Sequence, residues 1–540
     1  MKKYLYKLRG IIFAKISCAV ISIAALAAIP YLNKLLFDQK FKIWGDYGIL
    51  LLIGLYILVY IINSVFEYIS QRNAWKLDWK FNLLIKDDLF HALLNQPYRE
   101  FAKKSQGEYL SLFTNDIGVA SQYISSCVAV VQTAMQIFVY GVFIFSLNLY
   151  IGLVIVVGTL LALLAPAITG KTLAERRKIW VCLQGNYIEK LRDLFAGFRE
   201  VNKKTQNAMG SEQSKVLRKT EDSMLHYGKF STFTHILNGG FLYAVNILSF
   251  AAVGILFVFS KITLGTGVAA LGYAESFIEP LRYILEEVSN IKSTKQVTEN
   301  LMEYINQLGK GVARKELKSE LEETAIETLE LENLCKTFEG FEIKNFSYRF
   351  VRGRQYALIG HNGCGKSTIL EIIRKSKVED SGKVYFDGTS SDDICVEDYV
   401  SLTGVGSHIF KGDFTENVTM FGAYDKEQRL ENFDFGGLDF SAGEKQVICM
   451  LRAFAENASV ELYDEPFSAM DMANKKILSG ILQSRKDKIV IVATHDLDSN
   501  YLKAFDEVLL MEAGKLLMAG TPDEVIKTEA YQKLRKEKSV

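Results

Sequence analysis

Residues Gly360 to Ser367 read Gly-His-Asn-Gly-Cys-Gly-Lys-Ser, so Gly360, Gly365, Lys366 and Ser367 fill every defined position of G-x-x-x-x-G-K-[ST]. Glycines let backbone N–H groups turn inward around phosphate oxygens, and a helix opening directly after them adds the positive end of its dipole. Asn362, Gly363 and Cys364 complete the loop and Thr368 follows it. In this arrangement Lys366 reaches the outer phosphates and the Ser367 hydroxyl a magnesium ion. About a hundred residues on, Val460-Glu461-Leu462-Tyr463 ends in Asp464 and Glu465. A carboxylate at the C-terminal end of a parallel strand can hold a magnesium shell, and its neighbour can polarise an attacking water. A third apolar stretch, "KIVIVAT", delivers His495 to where a γ-phosphate would lie. A lone histidine is more often structural, but this one closes a buried strand in the same unit.

These residues need elements to hold them. "QYALI" before the loop reads as a buried strand and "STILEIIRKS" after it as a helix, the alternation of a parallel α/β sheet. The rest of the chain is different. Six apolar runs, near 10–36, 48–70, 121–147, 149–170, 232–259 and 263–287, are each long enough to cross a bilayer, which takes about 20 residues. The basic, apolar N-terminus could be a cleavable signal, but its apolar stretch is too long for one and ends without a small-residue cleavage site, so it reads as a retained first helix. Six prolines in 540 residues predict long, uninterrupted helices. The first domain is expected over 1–305, a linker over 306–324 and the nucleotide domain over 325–540.

Lys and Arg concentrate in the two long connections. Segment 72–104 carries Arg72, Lys76, Lys80, Lys86, Arg99, Lys103 and Lys104, and 171–229 is richer still. By the positive-inside rule both connections, both termini and the nucleotide domain face the cytoplasm, despite Lys34, Lys40 and Lys42 in the first short link. The expectation is a multi-pass integral membrane protein of a bacterial cell (inner) membrane. Both connections have helical periodicity, so the membrane helices run on into the cytoplasm, where they can touch the nucleotide domain. The net charge of +1 shows no bulk field for nucleic acid, and seven scattered cysteines without a C-x-x-C pair read as reduced, buried or incidental thiols rather than a disulfide framework or zinc site.

With these residues in place, the chain resembles an ATP-binding cassette (ABC) transporter of the exporter-type half-transporter kind. "FSAGEKQ", with Ser441, Ala442, Gly443 and Glu444, resembles the cassette signature; "DEPFSAMD", through Asp471, resembles the magnesium site, catalytic glutamate and D-loop; "ATHD" resembles the switch-histidine stretch. Phe338 resembles the aromatic that stacks on adenine, and "QGEYLSLFTNDI" the segment before the third membrane helix. The resemblance implies a multidomain membrane protein, an all-α six-helix transmembrane domain followed by an α/β P-loop NTPase. It implies an ATP hydrolase using ATP and Mg2+, with Glu465 and His495 catalytic and Ser367 and Asp464 on the metal. It also implies a second copy: Ser441 and Gly443 of one chain cap ATP on Lys366 of another, and alternating access follows ATP binding and hydrolysis. The catalytic set being intact favours a homodimer over a heterodimer.

The pattern departs in three places. The second signature glycine is Ala442 and the next polar position Glu444 rather than glutamine; a glutamine expected after the phosphate loop is replaced by Val405 or Gly406; and the segment between Phe410 and Ser441 is short, implying a trimmed helical subdomain. For cargo, ionisable residues in apolar segments are candidates. Glu67 lies in the second run, and Glu275, Glu279 and Arg282 share one face of the sixth. If that face lines a cavity it favours a cationic peptide or amphipathic small molecule; alternatively, Glu279 and Arg282 pair. Export is the leading reading, with an importer of exporter-like form or an ATP-gated regulator as alternatives. A soluble ATPase of chromosomes or repair is excluded by the apolar runs.

Overall fold

The computed structural model describes residues 1–162, 164–308, 325–404, 406–425, 433, 435 and 439–538. The chain forms two compact units, Met1–Asp87 with Leu112–Met302, and Asp88–Ser111 with Glu303–Val540. The greater part of the predicted linker, 309–324, lies outside the described residues, as does Val405.

The first unit is helical. Its elements are α1 (Lys2–Phe37), α2 (Gly48–Leu94), whose end belongs to the second unit with α3 (Tyr98–Phe101) and α4 (Gln106–Ser111), then α5 (Ile117–Leu147), α6 (Leu149–Ala162), α7 (Leu164–Ala196), α8 (Gln206–Val258) and α9 (Leu264–Leu308). The described residues of all six predicted apolar runs lie in these helices, to within one residue at the end of α8 and the start of α9. Among the described residues, four helical stretches are long and apolar enough to cross a membrane on their own: Lys2–Phe37, Gly48–Leu94, Gln106–Leu147 and Gln206–Val258. The fourth run is divided between α6 and α7, and the sixth contains Glu275, Glu279 and Arg282, so neither qualifies by itself. Only 11 to 22% of each apolar window is buried within the chain. So much exposed apolar helix is stable only in hydrocarbon, and a helix satisfies its own backbone there.

α1 and α9 are joined near the first link. Asp38 accepts from Thr263 Oγ1 and Gly265 N, both at 2.9 Å, and so caps α9 from across the bundle. Gly265 must lack a Cβ, which would stand 2.5 Å from the Lys34 carbonyl. Further along, Tyr273 donates its hydroxyl to the Ala27 carbonyl at 2.5 Å, and its ring stacks on Phe143 of α5.

The second unit holds two sheets. Strands β1 (Thr328–Phe338), β2 (Phe341–Val351), β3 (Gln355–Gly360), β4 (Ser381–Phe386), β5 (Thr389–Ser390), β6 (Val400–Gly404), β7 (Val460–Asp464), β8 (Ile489–Thr494), β9 (Glu507–Glu512) and β10 (Lys515–Gly520) alternate with α10 (Lys366–Ile373), α11 (Phe414–Thr419), α12 (Ala442–Glu456), α13 (Met472–Ser484), α14 (Ser499–Leu502), α15 (Pro522–Ile526) and α16 (Glu529–Lys538). The larger sheet has the order β10-β9-β3-β8-β7-β6, parallel except for β10, and the smaller, antiparallel one is β2-β1-β4-β5. Every residue of β3 and β8 is buried, as expected of parallel strands covered on both faces. Their side chains alternate between two cores: Ala357, Ile359, Val490 and Val492 pack with Phe454 and Leu478, while Tyr356, Leu358, Ile489 and Ile491 pack with Phe346 and Ile369. The register pairs Ile359 with Thr494, Asp464 with Ala493 and Gly404 with Asp464, so the segments after β3, β7 and β8 leave the sheet at one edge.

Candidate ATP site

The phosphate loop turns between β3 and α10. Gly360 and Gly365 have φ of 156° and 105°, and both are tightly packed. A Cβ on Gly360 would lie 2.4 Å from the Met511 carbonyl, and one on Gly365 3.0 Å from the Phe341 ring. Lys366 is buried at 6% exposure, and its ammonium donates to the carbonyls of Gly360 at 2.9 Å and His361 at 3.0 Å, at the centre of the turn. A cleft of about 510 Å3 opens over the loop, lined by Asn362, Gly363, Thr368 and Glu465, with Phe338 and Phe341 at its rim. Those two rings are stacked with centroids 6.3 Å apart. Loop, lysine and aromatic thus surround one nucleotide-sized space.

Asp464 ends β7 against Ser367. Burial pushes its carboxyl up, the Ser367 hydrogen bond pulls it down, and the charge of Glu465 pushes it up again. No cluster of three or more metal-ligating side chains exists among the described residues. A hydroxyl beside one desolvated carboxylate fits Mg2+, which takes few protein ligands and completes its shell with water and phosphate. Glu465 has φ of 50°, a left-handed backbone that a non-glycine residue adopts only when its surroundings enforce it. Three contacts do so. Its N–H donates to the Ala493 carbonyl at 2.9 Å, its carbonyl accepts from Gln446 Nε2 at 2.8 Å, and its carboxylate meets His495 Nδ1 at 3.1 Å.

Gln446 was not singled out from the sequence, although it ends the signature stretch. From α12 it also donates to Ser468 Oγ at 3.1 Å and accepts from Ala469 N at 2.8 Å, holding both ends of the turn after Glu465. The other signature residues form the start of α12. Ser441 is its N-cap, with Ser441 Oγ accepting from Glu444 N at 3.3 Å and Glu444 Oε2 accepting from Ser441 N at 2.7 Å. This is a capping box, S-x-x-E, in which glutamate and glutamine are interchangeable. It was legible at Ser441 to Glu444 but overlooked. Gly443 faces the Ala469 carbonyl, 2.9 Å from where its Cβ would be, whereas Ala442 is exposed. Asp471 caps α13, accepting from Asn474 N and Nδ2, both at 2.8 Å.

A second cleft, of about 620 Å3, runs from Ser367 and Asp464 past Gly404 and Gly406 to Glu397 and Tyr98. The expected glutamine would stand here. Gly404 is packed against Asp464, with a Cβ contact at 3.0 Å. Arg452 borders the cleft, donating to the His408 and Asn417 carbonyls at 2.8 Å each.

The cargo candidates are dispersed. Glu67 accepts from Ser22 at 3.2 Å and Gln71 at 2.8 Å. Glu279 and Arg282 form an ion pair at 2.8 Å. Of the two alternatives for Glu279 and Arg282, the structure has the pair: the spacing that puts them on one face also puts them within reach of each other.

The ABC transporter transmembrane region family matches residues 12–281, and the ABC transporter family matches residues 343–468. An ATP-dependent lipid A-core flippase of Haemophilus ducreyi is 22% identical over 97% of this chain and 95% of its own. A probable ABC transporter ATP-binding/permease protein of Haemophilus influenzae is 23% identical over 92% and 94%. The structure of a bacterial Atm1-family ABC exporter with ATP bound superimposes with a TM-score of 0.75 at 16% identity, over 99% of both chains. The helical membrane half, the two-sheet cassette and these matches converge: the chain belongs to the ABC transporters, as an exporter-type half-transporter whose cassette hydrolyses ATP to drive transport across a membrane.

Proposed function

We propose that the chain exports an amphipathic molecule, a small lipid-like compound or a peptide, by alternating access as a pair of chains with two composite ATP sites. The observation that carries the hydrolytic half of this reading is Glu465, held in a left-handed backbone with its carboxylate beside His495 and the phosphate loop. Phe338 stacks on adenine; the loop from Gly360 to Thr368 wraps the phosphates; Ser367 and Asp464 would hold Mg2+, which when bound would neutralise phosphate charge. Glu465 accepts a proton from the water it orients, and His495 turns to the γ-phosphate. The partner chain supplies a signature, Ser441 to Glu444, and its Asp471 region. The amphipathic cargo rests on relatives named as lipid A-core flippases and on the lipid-exposed helices; the ion pair of Glu279 with Arg282 weakens the case for a strongly cationic cargo. The charge pattern supports a bacterial inner-membrane location with termini and cassette in the cytoplasm, and domains of 1–305 and 325–540 joined by 306–324.

The test is ATP hydrolysis by this chain alone in lipid nanodiscs, beside Glu465→Gln. The substituted protein should lose about 10²- to 10⁴-fold in rate while still binding nucleotide. Equal, negligible rates in both would mean that the second cassette belongs to another chain or that the chain is an ATP-gated regulator, the reading favoured by the departure at Val405–Gly406.

A further inference from the structure

The phosphate loop and the His495 segment leave the sheet from neighbouring strands, and one element outside the sheet touches both. That element is α16, the last helix of the cassette, which packs on the core of β8 and β9 through Tyr531 and Leu534. Tyr531 is fully buried and donates its hydroxyl to the Leu497 carbonyl at 2.7 Å. Leu497, itself buried, stands two residues after His495, in a stretch that has already left β8. The same stretch is tied by Asp496 N, which donates to Thr494 Oγ1 at 3.0 Å. Six residues further along α16, about 9 Å at 1.5 Å per residue, Glu537 Oε2 lies 2.9 Å from His361 Nε2. His361 follows Gly360 in the phosphate loop, and its carbonyl accepts from Lys366 Nζ at 3.0 Å and from Cys364 N at 3.2 Å. A cavity of about 340 Å3, lined by His361, Met511, Leu517, Ala530 and Leu534, lies where the loop, the sheet edge and the helix meet.

We propose that α16 is a positioning element of the ATPase: Tyr531 sets the segment that carries His495, and Glu537 sets the phosphate loop through His361. The inference rests on the ATP reading of the site. Its physical warrant is what each segment must do there. Lys366 gives up the His361 carbonyl when its ammonium goes to phosphate, so the loop loses an internal hydrogen bond just when it must keep its shape. The contact of Glu537 with the His361 side chain does not depend on that bond. The His495 segment has the reverse need. Its imidazole pivots from Glu465 toward the γ-phosphate, which calls for a backbone that stays in place, and a buried hydroxyl-to-carbonyl hydrogen bond supplies that restraint. Neither Tyr531 nor Glu537 lines the nucleotide cleft, so both act through another residue.

The test uses the full chain in nanodiscs and reads kcat and KM for ATP separately. Tyr531→Phe keeps the buried ring and should lower kcat about fivefold, the size of one neutral hydrogen bond, with KM within about twofold of wild type. Glu537→Ala should raise KM about threefold, the scale of a half-exposed pair, with kcat within about twofold. Glu537→Gln, which keeps an acceptor for His361, should recover most of that loss. Two further readouts separate positioning from stability alone. In a His495→Ala background Tyr531→Phe should cost nothing more in single-turnover rate, and in a His361→Ala background Glu537→Ala should leave KM where it is. Without nucleotide, Tyr531→Phe should speed amide hydrogen exchange from Asp496 to Asp498. Lys503→Gln, which removes another cassette ion pair, with Asp523 at 3.4 Å, should leave both constants unchanged. An unchanged kcat in Tyr531→Phe, an unchanged KM in Glu537→Ala, or undiminished effects in the two alanine backgrounds overturns the proposal and leaves the ATPase reading standing. A wild type that neither binds nor hydrolyses ATP overturns the functional reading beneath it.

Discussion

Glu465 shows how a single residue's chemistry depends on neighbours that are remote in sequence. Its carboxylate and backbone are set by His495 and Ala493, from the end of β8, and by Gln446, from α12. The side chain's type was legible from "YDEP", but its left-handed backbone was not, because the contacts that enforce it come from α12 and β8. The signature glycines are also unequal. Gly443→Ala would drive a methyl to 2.9 Å from the Ala469 carbonyl, an overlap against backbone that costs about 1–3 kcal/mol. A lowered melting temperature and slower hydrolysis, by calorimetry and phosphate release, are expected. Ala442→Gly removes an exposed methyl at the first position of α12, so stability should change little. If the methyl hinders a partner's ATP, the KM for ATP should fall; an unchanged KM would show that the departure at Ala442 is silent.

At the scale of elements, the sheet does most of the positioning. Three parallel strands in register bring the phosphate loop, Asp464 and His495 to one edge, and their short continuous apolar runs made those strands legible in the sequence. The start of α12 was harder to read. Against a family pattern Glu444 looked like damage, whereas in place it completes a capping box with Ser441. The hydrogen bonds from Ser441 hold the Glu444 carboxyl below the usual carboxylate range. A depressed value means that the cap's contribution is present above the ordinary carboxylate pKa and is lost only as pH falls through the lower, folded value. Glu444→Gln should therefore leave melting at pH 7 almost unchanged and remove only the share of its acid dependence that this carboxyl contributes, while Glu444→Ala should lower melting at pH 7. Equal melting of all three would show that the box is idle. The docking of α3 was illegible for a different reason. Tyr98 meets Glu397 and Arg99 meets Asp392 across nearly three hundred residues, and no local period encodes such a pairing.

Across the whole molecule, one chain offers a phosphate loop and a signature that the proposed mechanism uses in different copies. A mixture tests this directly. Lys366→Ala and Ser441→Ala should each be inactive alone, but co-reconstituted they assemble one intact composite site in each mixed pair. About a quarter of wild-type hydrolysis should return, since half the pairs are mixed and each has one good site of two. No recovery would place both halves of the site within one chain. The apolar runs made the membrane half readable from composition alone, because lipid imposes a length and a polarity that no other environment demands. What composition concealed was the bracket between α1 and α9. Asp38 and Tyr273 pin the end of one helix to the beginning of the other, with contacts from Ala27 to Asp38 on one side and from Thr263 to Tyr273 on the other. Beyond that bracket α9 continues to Leu308, an arm of about 53 Å at 1.5 Å per residue that is packed at Phe277, Thr298 and Leu301. If the bracket acts as a fulcrum, a tilt of about 5° there becomes roughly 5 Å of travel at the arm's tip. The pinned end of the bundle would then have to yield only slightly for its far end to swing by a full helical turn.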